Sequence, residues 1–391
     1  MRNANCKYDI KPCYTQSTNS VLHDERTGYK YLDFFGMFSS LPLGYNHSAL
    51  KTQAFWDDMG RVVGIKTSNS AFHHPFYDDF VDYFMSEMAP PGFTSVHFTC
   101  TGGLAVETAI KSALFERRYS PPGISDVVSF HQGFHGINSY GSFVTSREGE
   151  PGRRLAGFPD TGWAKVKSVS ELEHFLSKGT KVVIVEPIQC TFGDIHLGDR
   201  MLGEIRDMCT HHGACLIFDE VQTGFFATGK RWYCEWLDVI PDIIVFGKKS
   251  QVSGVLVSRG WSSIFEASES GRMCVTFDGD LVDMVRGYHV LKAIKKYSLD
   301  MNVLKRGEQF LNGCRSLTFA KNVRGMGGIL AFDLSNRKNR DIFTYECFEK
   351  GLLFNATAEQ SIRFRPNLAV SIDEVDEAMN IMREAGNAYG L

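Results

Sequence analysis

The sequence predicts an α/β fold, with a large domain built on a mostly parallel central sheet flanked by helices and a smaller α+β domain beside it. Three observations carry this expectation. Short runs of almost uninterrupted apolar residues recur along the middle of the chain, as KVVIVEPI, ACLIFDE and DIIVFGKK; strands without polar alternation belong to sheets covered on both faces. Helical patterns separate these runs, and strand–helix–strand units of about 30 residues build parallel sheets with right-handed crossovers. The first sixty residues and the last hundred or so differ in texture, with strands that carry a polar face.

The elements follow in chain order. TGYKYLDFFG reads as a turn and a strand. TSVHFT is a strand that runs through Cys100-Thr101-Gly102-Gly103 into the helix LAVETAIKSALFERR, and DVVSF is the next strand. After the strand Lys181 to Ile188 comes LGDRMLGEIRDMCTHHG, which sets Met201, Leu202, Ile205, Met208 and Cys209 on one helical face and ends at Gly213, a residue type suited to a left-handed C-terminal cap. Ala214 to Glu220 and Asp242 to Lys249 are further buried strands. Residues 281–298 repeat Leu281, Met284, Val285, Leu291 and Ile294 at helical spacing. GGILAFDL is a strand, SIRFRPNLAVS an edge strand with a polar face, and DEVDEAMNIMREAGNAY a closing helix with Asp373 near its cap. The expected division is 1–60 and 281–391 for the two parts of the small domain, and 61–280 for the large one.

Composition excludes several classes of function. The chain has 391 residues, 43% hydrophobic and 22% charged, with a formal net charge of −3. Such a balance gives no basic field for nucleic acid or anionic membrane. No apolar run of about 18 residues is present to cross a bilayer. MRNANCKYDIKPCY lacks the apolar core of a secretion signal, so the expected location is the cytoplasm. Ten cysteines are scattered without a C-x-x-C pair, which fits buried free thiols better than a zinc site or disulfides.

Three successive strands end in polar residues, Glu186, Asp219 and Lys248. Ligands of open α/β sheets sit beyond the carboxyl ends of the strands, so two acids and a lysine there read as one site. The set matches what pyridoxal 5′-phosphate (PLP) demands of a protein: a lysine to hold its aldehyde, a carboxylate beside the pyridine nitrogen, a turn for the phosphate and an apolar cover for the ring. Lys248 follows a buried strand and Gly247. Asp219 ends the preceding strand. Gly102 and Gly103 let backbone N–H groups approach a phosphate at a helix start. Phe134, after the strand DVVSF, is placed to stack on a ring. A nicotinamide dehydrogenase is disfavoured, because no G-x-G-x-x-G opens a helix after a strand.

In this order the motifs resemble a family. TGGLAVETAIK, GFHG, VEPIQ, IFDEVQTG, PDIIVFGKKSQVSGV, VTFDGD-LVDMVR and IRFRPNLAVS are similar to those of class III aminotransferases of PLP fold type I, and FGKK-S-Q is similar to the FGKK-T-Q of the lysine 6-aminotransferases. The resemblance spans nearly the whole chain. It implies an aminotransferase moving an amino group between an amine and a 2-oxo acid such as 2-oxoglutarate. It makes Lys248, rather than the adjacent Lys249, the Schiff-base lysine, and Asp219 the partner of the pyridine nitrogen. It places Gln222 near the ring hydroxyl, Gly102 and Gly103 at the phosphate and Phe134 on the ring. Thr276 would reach the phosphate across a dimer interface, which implies a homodimer with a composite active site. Arg363 would bind the 2-oxo acid's carboxylate, with Arg365 two residues on as its rival.

The departures from that family concern substrate rather than cofactor. An arginine used for the substrate's α-carboxylate is replaced by Ile137. A glutamate that pairs with the carboxylate-binding arginine is replaced by Thr191. An asparagine two residues before the interface threonine is Cys274, and Gly-Gly-Asn becomes Asp278-Gly279-Asp280. These changes predict an amine substrate other than L-lysine bound in the usual way. They also leave room for a different PLP reaction on the same fold, such as decarboxylation, racemisation or carbon–carbon bond formation; a non-enzymatic role is disfavoured by the presence of Lys248 and Asp219.

Overall fold

A computed structural model describes residues 8–67, 72–116, 124–146, 161–265, 271 and 273–388. Its centre is a seven-stranded sheet with the spatial order Phe93–Thr99, Ser253–Ser258, Ile243–Phe246, Cys215–Asp219, Val182–Val185, Val127–Phe130, Ala164–Val166. The last five run parallel to one another. The first two add an antiparallel edge.

The apolar runs are explained by burial on both sheet faces. Val182, Ile184, Cys215, Ile217, Ile243 and Val245 meet Ala105, Val106, Ala109 and Ile110 of the helix Gly102–Glu116. Their alternating neighbours Val183, Val185, Leu216, Phe218, Ile244 and Phe246 face the opposite core. The helices Gln53–Val62, Pro75–Met88, Asp199–His212 and Leu281–Lys296 cover that second face. Gly213 caps Asp199–His212 in the left-handed region at φ 64°, as its residue type predicted. Residues 117 and 118 of the expected helix after the glycine turn, and Tyr389 of the closing helix, lie outside the described residues.

Three smaller sheets accompany the central one among the described residues; one is the pairing of Ile188–Gln189 with Ile195–His196, and the other two are larger. One has the order Val21–His23, Lys30–Asp33, Leu352–Leu353, so an N-terminal strand pairs with one from near the C-terminus. The other has the order Lys321–Met326, Ile329–Asp333, Ser361–Phe364, Asn355–Thr357. A separate core forms beside them from Phe310, Phe332, Phe343, Phe354, Ile362, Phe364 and the closing helix Ile372–Ala388.

One sequence expectation is corrected here. Ser361–Phe364 is an inner strand, flanked by Ile329–Asp333 and Asn355–Thr357. Its polar residues suggest an edge, but Ser361 is buried and donates to Asp333 Oδ1 at 2.6 Å, while Arg363 donates to the Cys190 carbonyl at 2.7 Å. Residue 60 falls within a helix whose Phe55, Met59 and Val62 join the large core, and Leu281–Lys296 packs there too. An amphipathic pattern states that a helix has an apolar face, not which core receives it. The described cysteines are all free thiols, and most are buried.

Candidate active site

Because the strands Ile243–Phe246, Cys215–Asp219, Val182–Val185 and Val127–Phe130 are neighbours and parallel, their carboxyl ends line one edge of the sheet. This places Lys248, Asp219, Glu186 and the Phe134-His135 pair side by side, in that order. The three polar strand ends singled out in the sequence therefore converge.

Asp219 is 6% exposed. Its Oδ2 lies 2.8 Å from His135 Nδ1, and its Oδ1 accepts from the Val221 amide at 3.1 Å. His135 Nε2 is buried without a hydrogen-bond partner among the described residues. The neighbouring Glu186 is buried as well, accepting from the Phe134 amide at 2.6 Å. Burial, reinforced by the nearby Asp219 charge, pushes its carboxyl well above the usual range.

Lys248 stands two residues past its strand end, beyond Gly247, with φ 54°. Its amine donates to the Phe38 carbonyl at 3.1 Å. Burial, aided by the Arg363 charge, pushes that amine down to about 8. Lys249 is different. It is wholly buried, its amine has no hydrogen-bond partner among the described residues, and burial pushes it down to about 7.

The two arginines of the inner strand segment separate cleanly. Arg365 is 1% exposed and forms a two-point ion pair with the fully buried Asp194, with Nη1 2.9 Å from Oδ2; its Nε reaches Gln222 at 3.4 Å. Arg363 donates Nη1 to the Cys190 carbonyl at 2.7 Å, and its Nε is buried without a partner among the described residues. Among the described residues no carboxylate comes within 4.0 Å of its guanidinium. Burial, with the nearby Arg365 charge, lowers it to about 10. Thr191 follows Cys190, and its carbonyl accepts from the Thr357 hydroxyl.

Gly102 and Gly103 open a 15-residue helix, whose first-turn N–H groups lack intrahelical acceptors. A Cβ at Gly103 would meet only Thr101 Oγ1, at 4.0 Å. The glycines are thus not demanded by chain packing, and the space they leave suits a phosphate. Beside them Cys100 Sγ donates to the Phe277 carbonyl at 3.1 Å, tying the turn that carries Cys274 and Thr276 to this corner. Thr276 is exposed, as are Val275 and Phe277. Ile137 is 58% exposed.

Sequence reading gave no role to His135, Asp194, Glu220 or Asp33. His135 sits within the Phe-His-Gly motif, and its position next to Phe134 was the available signal. Glu220 accepts from the Tyr233 and Cys234 amides at 2.5 and 2.9 Å; it staples a loop while Asp219 faces the site. A lysine amine, a carboxylate fixed by an imidazole and an open glycine turn at a helix start together fit PLP.

A fold and strand-edge site of this kind define a PLP-dependent transferase. The class III aminotransferase model matches residues 4–385, and the chain belongs to that family. It is 30% identical to the L-lysine-epsilon aminotransferase of Mycobacterium tuberculosis over 96% of this chain and 92% of the relative. It is 29% identical to that of Amycolatopsis lactamdurans, covering 96% and 91%, and 26% identical to the ornithine aminotransferase of Brevibacillus brevis, covering 96% and 94%. The solved lysine aminotransferase from M. tuberculosis in its internal aldimine form superposes with a TM-score of 0.91, at 29% identity, over 99% of this chain and 97% of that one. The protein is a PLP-dependent aminotransferase that transfers an amino group between an amine donor and a 2-oxo acid. These relatives give no support to the other PLP reactions.

Proposed function

We propose that Lys248 carries the cofactor and moves protons, that Asp219 holds the pyridine nitrogen protonated, and that Arg363 receives the carboxylate of the 2-oxo acid. The observation that carries this reading is the alignment of Lys248 and the His135–Asp219 pair on adjacent parallel strand ends. When bound, PLP supplies an electrophilic carbon for the amine and a ring that withdraws electrons. Lys248, with an amine pushed down to about 8, exchanges protons close to neutral pH. His135 Nδ1 orients the Asp219 carboxylate toward the ring position. Gly102 and Gly103 hold the phosphate by backbone N–H groups, Phe134 covers the ring and Gln222 stands near its hydroxyl. Thr276 reaches the phosphate of the partner protomer in a homodimer; the exposed Val275 and Phe277 around it support an interface there.

Arg363 meets no carboxylate among the described residues, and its guanidinium suits a carboxylate met bidentately. Ile137, Thr191 and Cys274 place no charge of their own at the substrate end. The donor is therefore an amine whose carboxylate docks on Arg363, or one less charged than L-lysine, in a specialised biosynthetic route in the cytoplasm. The small-domain parts at both chain ends form one body in this reading, supported by the pairing of Lys30–Asp33 with Leu352–Leu353.

Single-turnover spectroscopy of the PLP-loaded protein tests the assignment, with L-glutamate, L-lysine, L-ornithine and L-alanine added in turn. Conversion of the cofactor by L-glutamate is expected. Efficient conversion by L-lysine at its terminal amine would count against the proposed donor class.

A further inference from the structure

Four successive residues, Gly36 to Ser39, have positive φ, at 57°, 49°, 59° and 72°. Three of them bear side chains, and L-residues resist this left-handed region. Such a turn persists where its surroundings over-determine it, and such turns cluster at active sites.

The surroundings here are specific. Asp33 is 2% exposed. Its Oδ1 accepts from the Phe35 and Gly36 amides at 2.9 and 2.8 Å, and its Oδ2 accepts from the Tyr45 hydroxyl at 2.6 Å. Tyr45 is buried and is held in turn by the Asn19 carbonyl through its own amide at 2.7 Å. On the inner side, a Cβ at Gly36 would stand 2.3 Å from the Arg365 carbonyl oxygen, so the turn is wedged against the segment that follows Arg363. At its far end the turn presents the Phe38 carbonyl to the Lys248 amine at 3.1 Å and the Ser40 carbonyl to the Gln251 amide at 2.7 Å. Lys248 and Gln251 are themselves left-handed, at φ 54° and 64°. Two strained segments thus meet through two hydrogen bonds, and one of these is made by the lysine.

We infer that Asp33 is a positioning residue for Lys248: with Tyr45 it fixes the left-handed turn whose Phe38 carbonyl accepts from the lysine amine and aims it. The inference rests on the reading of Lys248 as the cofactor lysine. A free lysine amine rotates about its last bond. A carbonyl that takes one N–H confines it, and so confines the direction in which the nitrogen accepts or gives a proton. Asp33 does not touch the reacting atoms. Its loss changes proton transfer by Lys248 and leaves Arg363, on another strand, able to bind its carboxylate. The groups whose charge acts on the Lys248 amine are Arg363, Arg365, Cys190, Asp219 and the adjacent Lys249.

The test uses Asp33→Ala, Asp33→Asn and Tyr45→Phe, each first shown to be folded. Lysine acetylation of the cofactor-free proteins is followed by peptide mass spectrometry, with the exposed Lys321 as internal reference. Lys248 in Asp33→Ala is expected to label at least about three-fold faster than in the wild type, because the turn no longer engages it. In the loaded enzyme kcat falls about ten-fold while KM for the 2-oxo acid stays within about two-fold, and the primary isotope effect from deuterium on the donor's amine-bearing carbon rises. Asp33→Asn, whose amide oxygen still accepts from the Phe35 and Gly36 amides, restores labelling close to wild type. A folded Asp33→Ala protein with wild-type labelling, kcat and isotope effect overturns the inference. Should that variant not fold, Tyr45→Phe decides by the same three readouts, and unchanged values overturn it. Borohydride reduction and peptide mapping of the wild type test the underlying reading separately: cofactor found on a residue other than Lys248 defeats that reading, whatever the variants do.

Discussion

His135 Nδ1 lies 2.8 Å from Asp219 Oδ2, with the imidazole side chain fully enclosed and the carboxylate 5% exposed. The two residues are 84 positions apart; Asp219 ends Cys215–Asp219 and His135 follows Val127–Phe130, two parallel strands with Val182–Val185 between them. Replacing His135 by Phe keeps a ring of similar size but removes the group that orients the carboxylate. We expect kcat to fall by roughly 10–100-fold, the scale seen when a buried group that orients a functional residue is lost. Asp219→Asn, which removes the charge itself, should cost more. Steady-state rates with cofactor saturation verified by titration give the answer, and equal losses in the two variants would contradict the assigned roles.

Arg363 and Arg365 make opposite predictions. Arg363→Ala should raise KM for the 2-oxo acid by roughly 10–100-fold, the equivalent of losing a charge-assisted bond of about 1.5–3 kcal/mol, with little change in melting temperature. Thr191→Glu would set a carboxylate next to Cys190, whose carbonyl already touches Arg363, and should also weaken the acid. Inhibition by dicarboxylates, measured for both variants, reads the effect directly.

Asp194→Ala should instead destabilise the fold. It would strand the Arg365 guanidinium, 1% exposed, without its ion-pair partner. Breaking a buried pair on one side costs about 3–5 kcal/mol. Urea unfolding measures it, and a loss below about 1 kcal/mol would mean that water reaches the site.

Lys249 should make stability depend on pH. Its folded-state value is about 7, below the ordinary 10.5. The unfolded chain therefore binds more protons between those values, and stability rises with pH across that window. Below about pH 7 the full penalty applies. Lys249→Met should remove it, raising stability at neutral pH by roughly 2–5 kcal/mol, with the gain shrinking toward pH 10. Melting curves at several pH values follow this; a gain that does not change with pH would point to packing instead.

Much of the site could be read from the sequence because each polar group follows an unbroken apolar strand. Val182–Val185, Cys215–Asp219 and Ile243–Phe246 are wholly buried, and parallel order alone brings their ends together. Other features depend on partners distant in sequence. Arg365 and Asp194 are 171 positions apart, and Asp33 reaches Lys248 only through Phe38, 210 positions from the lysine. No local pattern encodes such pairs. The strand at Ser361–Phe364 read as an edge because Arg363 looks exposed on paper, whereas the structure gives it the Cys190 carbonyl and a buried setting. Leu299–Arg315 has apolar residues in both cores, Val303 in one and Phe310 in the other, which a single helical stripe does not disclose.

The pairing of Lys30–Asp33 with Leu352–Leu353 has a consequence for synthesis. A ribosome that has released the first strand must add some 320 further residues before its neighbour emerges, which takes on the order of 15–60 seconds at ordinary elongation rates. Throughout that interval one edge of the early hairpin is bare, and for about its first two-thirds Asp33 cannot present the Phe38 carbonyl to Lys248, which has not been made. The enzyme's catalytic corner is therefore among the last parts of the nascent chain to be assembled, and chaperones that shield open strand edges would act on it before any cofactor could be held.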